Sequence, residues 1–283
     1  MATQQGVRRL TRIAVIADTH IGVSKTNFVD NWRRAAERVN DRRPDLTILL
    51  GDLTFDGANS DDDCAFAKEA LADLKSPCLV LPGNHDVGDT DRGSRQPANA
   101  ERIARWVRHF GADRWVSDEI AGWRLIGLNA QILGTGLSEE ADQWRFLEEA
   151  LLTDRRILLF THQPLFLEHR QEGDRPYWTS VATARLRLLD VATRAGAVAI
   201  FSAHMHRALS FVSSGEPSLF WVPATSFLTR DTSMPPQNGA GMLGVTFLDL
   251  ADDGFSVAFD PTPGLEPFHI EDFNGTLYPA PGK

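Results

Sequence analysis

The chain has little cysteine: Cys64 and Cys78 are the only two in 283 residues. They fall in segments patterned as a helix and a strand, which predicts buried free thiols rather than a disulfide. No apolar run is long enough to cross a membrane, and residues 1–10 hold no apolar segment of signal-peptide type. The expectation is a cytoplasmic protein. Positive charge is also short, with Lys+Arg 29 against Asp+Glu 38 and a net charge of -9. That argues against broad, sequence-independent nucleic-acid binding, which relies on basic surfaces. A small phosphorylated substrate stays open, because bound divalent metals invert the charge of a pocket locally. Internal repeats, low-complexity tracts and interdomain linkers are absent too, and with 42% apolar residues the chain can bury one large core.

What is there is a set of apolar runs that each end in a metal-ligating residue type. Ile13-Ala14-Val15-Ile16-Ala17 runs into Asp18-Thr19-His20, and Leu46-Thr47-Ile48-Leu49-Leu50 into Gly51-Asp52. Cys78-Leu79-Val80-Leu81 leads to Gly83-Asn84-His85-Asp86, Ile157-Leu158-Leu159-Phe160 to His162, and Val198-Ala199-Ile200-Phe201 to His204-Met205-His206. Runs of this length read as strands buried on both faces. Residues just past the carboxyl ends of such strands line the crevice where α/β sheets bind ligands.

Helical spacing separates the runs. Phe28, Trp32, Ala35, Ala36 and Val39 share one face, ended by Arg43-Pro44; Cys64, Ala67, Leu71 and Leu74 share another, ended by Ser76-Pro77. Ser138 is the expected N-cap of a third helix that buries Trp144, Leu147 and Leu151. Ala184, Leu188, Val191 and Ala195 carry a fourth, with Gly196 at its stop. Strand–helix–strand repetition implies parallel pairing with right-handed crossovers. Segments 208–213, 218–223, 241–249 and 254–260 are strand-like with no helix between them, so an antiparallel component belongs there. The expected fold is an α-β-β-α sandwich: four layers, two mixed sheets, helices outside. Residues 261–283, with five prolines, are expected to wrap the surface.

Asp18, His20, Asp52, Asn84, His162, His204 and His206 give seven ligand side chains. Seven exceed one tetrahedral zinc and suit two metals sharing a carboxylate. Asp52 is the natural bridge, since its strand is expected between those of Asp18 and Asn84. His204 and His206 would share a face in an extended segment, but could reach different metals in a tight loop. Two metals about 3.5–4 Å apart can bind a phosphoryl group, lower the pKa of a bridging water and offset developing charge. Mixed N/O ligation admits Mn, Fe, Zn or Co.

Asp18-x-His20, Gly51-Asp52, Gly83-Asn84-His85-Asp86, His162 and His204-x-His206 together resemble the calcineurin-like metallophosphoesterases in order and ligand type, from residue 12 to at least residue 207. Thr161-His162-Gln163-Pro164 and Pro223-Ala224-Thr225-Ser226-Phe227 resemble the bacterial branch of class III cyclic-nucleotide and glycerophosphodiester phosphodiesterases. The resemblance implies one metallophosphoesterase domain over residues 1–283, with a catalytic core of about 12–260 and the tail beyond it. It also implies Asp18, His20, Asp52 and His206 on one metal, and Asp52, Asn84, His162 and His204 on the other. His85 would be a non-ligand that contacts the phosphoryl oxygen or protonates the leaving group, Thr225 a substrate contact, and a metal-bridging hydroxide the nucleophile.

The chain departs from the family pattern at three places. Ala203 stands where the family usually has Gly, so the turn must be one a non-glycine residue tolerates. Phe55 stands where members often place an acid that orients the non-ligand histidine; either Asp56 substitutes, or another group holds His85. Gln163 replaces a histidine that is not a ligand in this carry-over. Asp86 is expected to orient a ligand imidazole from behind. Tyr177 and Trp178 lie on the loop past His162, where they either stack on a substrate ring or simply pack.

The implied activity is hydrolysis of small phosphodiesters. A phosphomonoesterase or a nuclease on the same fold is the alternative, the nuclease disfavoured by acidic charge, and an interaction scaffold ranks last because no ligand is lost. Substrate identity, native metals and oligomeric state, a homo-oligomer included, stay open at this level.

Overall fold

The computed structural model describes residues 10–273 and 275–277; residues 274 and 278–283 of the expected tail lie outside the described residues. In chain order its elements are β1 (Thr11–Ile16), α1 (Val29–Arg42), β2 (Leu46–Leu50), α2 (Asp61–Ala70), β3 (Cys78–Leu81), α3 (Asn84–Val87), α4 (Ala100–Phe110), β4 (Trp115–Ser117), β5 (Trp123–Leu128), α5 (Ser138–Ala150), β6 (Arg156–Thr161), α6 (Ala182–Arg194), β7 (Ala199–Ser202), β8 (Arg207–Phe211), β9 (Ser218–Trp221), β10 (Ala240–Gly241), β11 (Gly244–Ala251) and β12 (Gly254–Pro261). They form two mixed sheets, ordered β12-β11-β1-β2-β3 and β10-β8-β9-β7-β6-β5-β4. The strand of Asp52 does lie between those of Asp18 and Asn84, as expected.

The apolar runs are continuous because both faces of each central strand are covered. Ile13 and Val15 of β1, and Ala17 just past it, point inward with Ile48, Leu50, Leu158, Phe160 and Phe201, filling the space between the sheets. Ala14, Ile16 and Leu49 point outward onto Trp32, Ala35 and Val39 of α1, Ala67 of α2 and Ile103 and Trp106 of α4. On the other side Leu159, Ile157 and Ile200 meet Trp144 and Leu147 of α5 and Leu188 of α6. The result is the four-layer α-β-β-α sandwich. Both cysteines are free thiols. Among the described residues no helix is long and apolar enough to cross a membrane.

Three details differ from the sequence reading. β5 and its antiparallel partner β4 carried no clear run, since Arg124 and Gly127 interrupt the apolar pattern; Gly127 is required there because Trp115 lies against it. β9 pairs in parallel with β7, so antiparallel pairing in the second half is confined to β8 with β9 and β10, and to β11 with β1 and β12. Ser138 is the first residue of α5 rather than its cap, its hydroxyl donating to Glu139. Glu140 instead reaches back to accept the N–H groups of Gly134 and Gly136 at 2.7 and 2.8 Å.

Candidate metal centre

The carboxyl ends of β1, β2, β6 and β7 and the start of α3 bring the candidate ligands to one edge of the sandwich. Adjacent strand ends are laced together: Asp18 N–H donates to the Gly51 carbonyl at 3.1 Å and His20 N–H to the Asp52 carbonyl at 3.0 Å. The His204 N–H donates to the Asp18 carboxylate across the two sheets, at 3.1 Å. Among the described residues, positive φ outside glycine occurs at Asp18 (51°), His20 (46°), Asp52 (46°), His204 (69°), His206 (52°) and Arg43, which ends α1. Left-handed backbone is costly for such residues and tends to concentrate at functional sites. Ala203 is not among them, so the missing family glycine causes no strain there. Gly83 is indispensable by contrast: a Cβ there would overlap the Asp52 carboxylate and backbone.

Ligand atoms of Asp18, His20 and His206 lie within 4.8 Å of one another, and so do those of Asp52, His162 and His204. His204 and His206 thus turn to different groups, as a tight loop permits; Met205 N–H donates back to the Ala203 carbonyl at 2.8 Å. Asp52 Oδ2 sits between the groups, 3.7 Å from His20 Nε2 and 3.3 Å from His162 Nε2. Its Oδ1 accepts the His85 N–H at 2.8 Å, which aims the other oxygen at the histidines.

Asp18 Oδ1, Asn84 Oδ1, His162 Nε2 and His204 Nδ1 are all buried without a hydrogen bond. Four such atoms at one edge would be costly unless something binds them. Meanwhile the second nitrogen of three imidazoles donates to a backbone carbonyl: His162 Nδ1 to Leu50 at 2.8 Å, His204 Nε2 to Tyr177 at 3.0 Å and His206 Nδ1 to Phe227 at 2.7 Å. This fixes the tautomer and leaves the opposite lone pair for a cation. The donor set therefore fits a mixed N/O dinuclear metal centre.

Electrostatics agree. Burial pulls His20 well below its ordinary range, His204 to about 3 and His206 to about 4, so all three are neutral and competent to ligate. Burial also presses on His162, but the Asp52 and Asp18 charges lift it to about 9. Burial raises Asp18 to about 8, with the nearby Asp52 charge adding to the effect.

Around this centre, Asp86 does not reach an imidazole through its recorded hydrogen bonds. Its carboxylate accepts the N–H groups of Leu53, Thr54 and Gly83 and the Thr54 hydroxyl, bracing the Asp52 loop against the Gly83-Asn84 loop. The expectation that it orients a histidine is corrected: backbone carbonyls take that part. His85 Nδ1 donates to the Phe55 carbonyl at 2.7 Å, while Asp56 accepts from Asn59, so of the two alternatives it is another group, a main-chain carbonyl, that holds His85. Thr225 is fully buried, with its hydroxyl on the Ala17 carbonyl, and it supports the end of β1 rather than lining the cavity.

A cavity of about 290 Å³ opens over His20, Asp52, His85, His204 and His206, with Tyr177, Trp178, Phe227, Met234 and Glu271 among its walls. Tyr177 is 39% exposed at the mouth, and Trp178 packs with Leu167, Met205 and Trp221. Trp178 therefore packs, while Tyr177 keeps part of its ring open to the cavity. Gln163 holds their loop, its Nε2 donating to the Pro176 and Tyr177 carbonyls at 3.0 and 2.7 Å. Phe227 stacks on His206 with ring centroids 4.1 Å apart. Gln163 and Phe227 stand in segments that carried the resemblance but without these roles, and Glu271 had no local sequence signal. A larger cavity of about 870 Å³ lies between the sheets at the opposite ends, near Thr11, Leu46, Cys78 and Trp123. It offers none of the candidate ligands, so size does not decide the site.

Residues 11–208 match the model of the calcineurin-like phosphoesterase family. The chain is 28% identical over 226 residues to the serine/threonine-protein phosphatase CPPED1 of Homo sapiens, covering 68% of each. It is 30% identical over 215 residues to the probable glycerophosphodiester phosphodiesterase GpdQ of Arcobacter nitrofigilis, covering 69% of this chain and 71% of the relative. In fold it is similar to a purple acid phosphatase from yellow lupin (Lupinus luteus), with a TM-score of 0.66 at 13% identity, covering 93% of this chain and 53% of that one.

Proposed function

The chain belongs to the calcineurin-like phosphoesterase family, and from that premise we propose a dinuclear-metal phosphodiesterase acting on small diesters of cyclic-nucleotide or glycerophosphodiester type. The observation that carries the reading is the gathering of ligand atoms of Asp18, His20 and His206, and of Asp52, His162 and His204, each group within 4.8 Å of one another, with Asp18 Oδ1, Asn84 Oδ1, His162 Nε2 and His204 Nδ1 buried and without a hydrogen bond. Asp18, His20, Asp52 and His206 would hold one ion, and Asp52, Asn84, His162 and His204 the second. Ions of the Mn, Fe, Zn or Co type held there would supply Lewis-acid polarisation of the phosphoryl group and activation of water at neutral pH.

The chain's own groups do the rest. His85 lines the cavity, and its Nδ1–H is tied to the Phe55 carbonyl. In the imidazolium form its Nε2–H would contact the phosphoryl oxygen or give a proton to the leaving alkoxide. The Tyr177 side of the cavity supplies an apolar wall for the organic part of the substrate. The name of the glycerophosphodiester phosphodiesterase relative supports a diester, and so does the absence of Lys or Arg among the described residues that line the cavity. A doubly charged monoester usually draws such cations. The relative named as a protein phosphatase supports monoester hydrolysis as the second reading. Two free thiols suit a cytoplasmic setting.

The test is turnover of metal-reconstituted protein on cyclic nucleotides, glycerophosphodiesters and aryl mono- and diesters. Diesters should be hydrolysed with the higher kcat/KM. A preference for monoesters would replace the first reading by the second.

A further inference from the structure

Resting on the phosphodiesterase reading, we infer that Glu271 selects substrates by the charge of the ester arm that does not leave, favouring a cationic arm and rejecting an anionic one. The residue arrives from far along the chain. Leu228 N–H donates to the Phe268 carbonyl at 2.8 Å and Ile270 N–H to the Leu228 carbonyl at 3.0 Å, which clips the segment beside Phe227. Phe268 and Ile270 then pack on Phe28, Phe55 and Phe227. Asn31 adds a polar clamp, donating to the Glu266 carbonyl and accepting the Glu266 N–H, at 3.0 and 2.8 Å. The same Phe227 ring stacks on His206 and the Phe55 carbonyl holds His85, so the tail is seated on residues that shape the metal edge.

This seating puts Glu271 on the wall of the 290 Å³ cavity with its side chain only 14% exposed. Oε1 accepts the Arg230 N–H at 2.7 Å, whereas Oε2 is buried and has no hydrogen bond. The Arg230 guanidinium is shared between Glu271 and Asp272, one cation for two carboxylates. It lies 3.6 Å from Oε2 and gives its hydrogen bonds to Asp272, at 2.8 and 3.0 Å. Nearby Arg207 is taken in turn by Asp231, at 2.5 Å. Apart from the metal-edge side chains, Glu271 is the one charged residue among the described lining, and Tyr177 and Trp178 stand in the same lining, edge-on and tilted to His204. A largely desolvated carboxylate with aromatic rings in the same small cavity attracts an ammonium group and repels a carboxylate or second phosphate.

The test uses full-length metal-loaded protein and three diesters that share a 4-nitrophenolate leaving group. Their second arms are 2-aminoethyl, ethyl and 2-carboxyethyl. Wild type should rank them cationic over neutral over anionic, with kcat/KM for the first exceeding that for the last on the order of tenfold or more. Glu271→Gln should bring the ratios toward one, Glu271→Lys should reverse the order, and added salt should shrink the wild-type ratio. Reversal separates a charge effect from a loosened tail, which would lower all three alike. Cleavage of all three esters by wild type at equal kcat/KM overturns this inference alone, as does an order that survives both substitutions. Failure to cleave any of the three overturns the phosphodiesterase reading, and the inference with it.

Discussion

Asp52 Oδ2 lies 3.3 Å from His162 Nε2, and the two side chains are 2% and 0% exposed. Burial disfavours both charges, yet their attraction holds the Asp52 carboxyl well below its usual range and keeps His162 protonated to about pH 9. In the metal-free protein a proton on His162 thus does part of the work of a cation.

Metal loading should therefore release protons. His162 has a raised pKa, so below about pH 9 its proton must leave before Nε2 can ligate, and the raised Asp18 carboxyl acts in the same sense. Apparent affinity should climb between about pH 6 and 9 and level off above. Titration with Zn or Mn in weakly buffered solution at pH 7 checks this by indicator dye. Uptake without acidification would show that His162 is neutral before the metal arrives.

His85 should be separable from metal binding, because its ring is fixed by Phe55 while its backbone N–H steadies Asp52. His85→Ala should keep both metals and lose turnover on the order of 10²–10⁴-fold, as removal of a general acid does. The loss should shrink for nitrophenolate esters, which need little protonation. Equal loss for good and poor leaving groups would point to positioning of the phosphoryl group instead.

The aromatic loop should split into two roles. Tyr177, exposed at the cavity mouth, should act on KM: Tyr177→Ala should raise it for ring-bearing diesters and leave compact glycerophosphodiesters little changed. Trp178 packs on Leu167, Met205 and Trp221, so Trp178→Ala should also lower stability by on the order of 2 kcal/mol in denaturant titrations. A KM shift shared by every substrate would remove Tyr177 from substrate choice.

Much of this centre was readable beforehand for a physical reason. Strands covered on both faces leave unbroken apolar runs, and a ligand set at their carboxyl ends is visible as punctuation after each run. Asp18, Asp52, His162 and His204 were found in that way. β5 was missed because Arg124 and Gly127 break its run. The orienting groups were missed because they are main-chain: the carbonyls of Leu50, Phe55, Tyr177 and Phe227 carry no residue-type signature. Thr225 was placed on the substrate by resemblance, whereas its hydroxyl is spent on Ala17. Glu271 depends on pairing between residues 228 and 269, which no local pattern announces.

One carboxylate, Asp52, is proposed to serve two metal ions. Metal content per chain, measured by mass spectrometry on wild type and on Asp52→Ala after identical reconstitution and desalting, tests it most directly. Wild type should hold two ions per chain and the variant close to none, since both ligand groups lose a member together. Retention of two ions by Asp52→Ala, or loss of only one, would contradict the shared bridge.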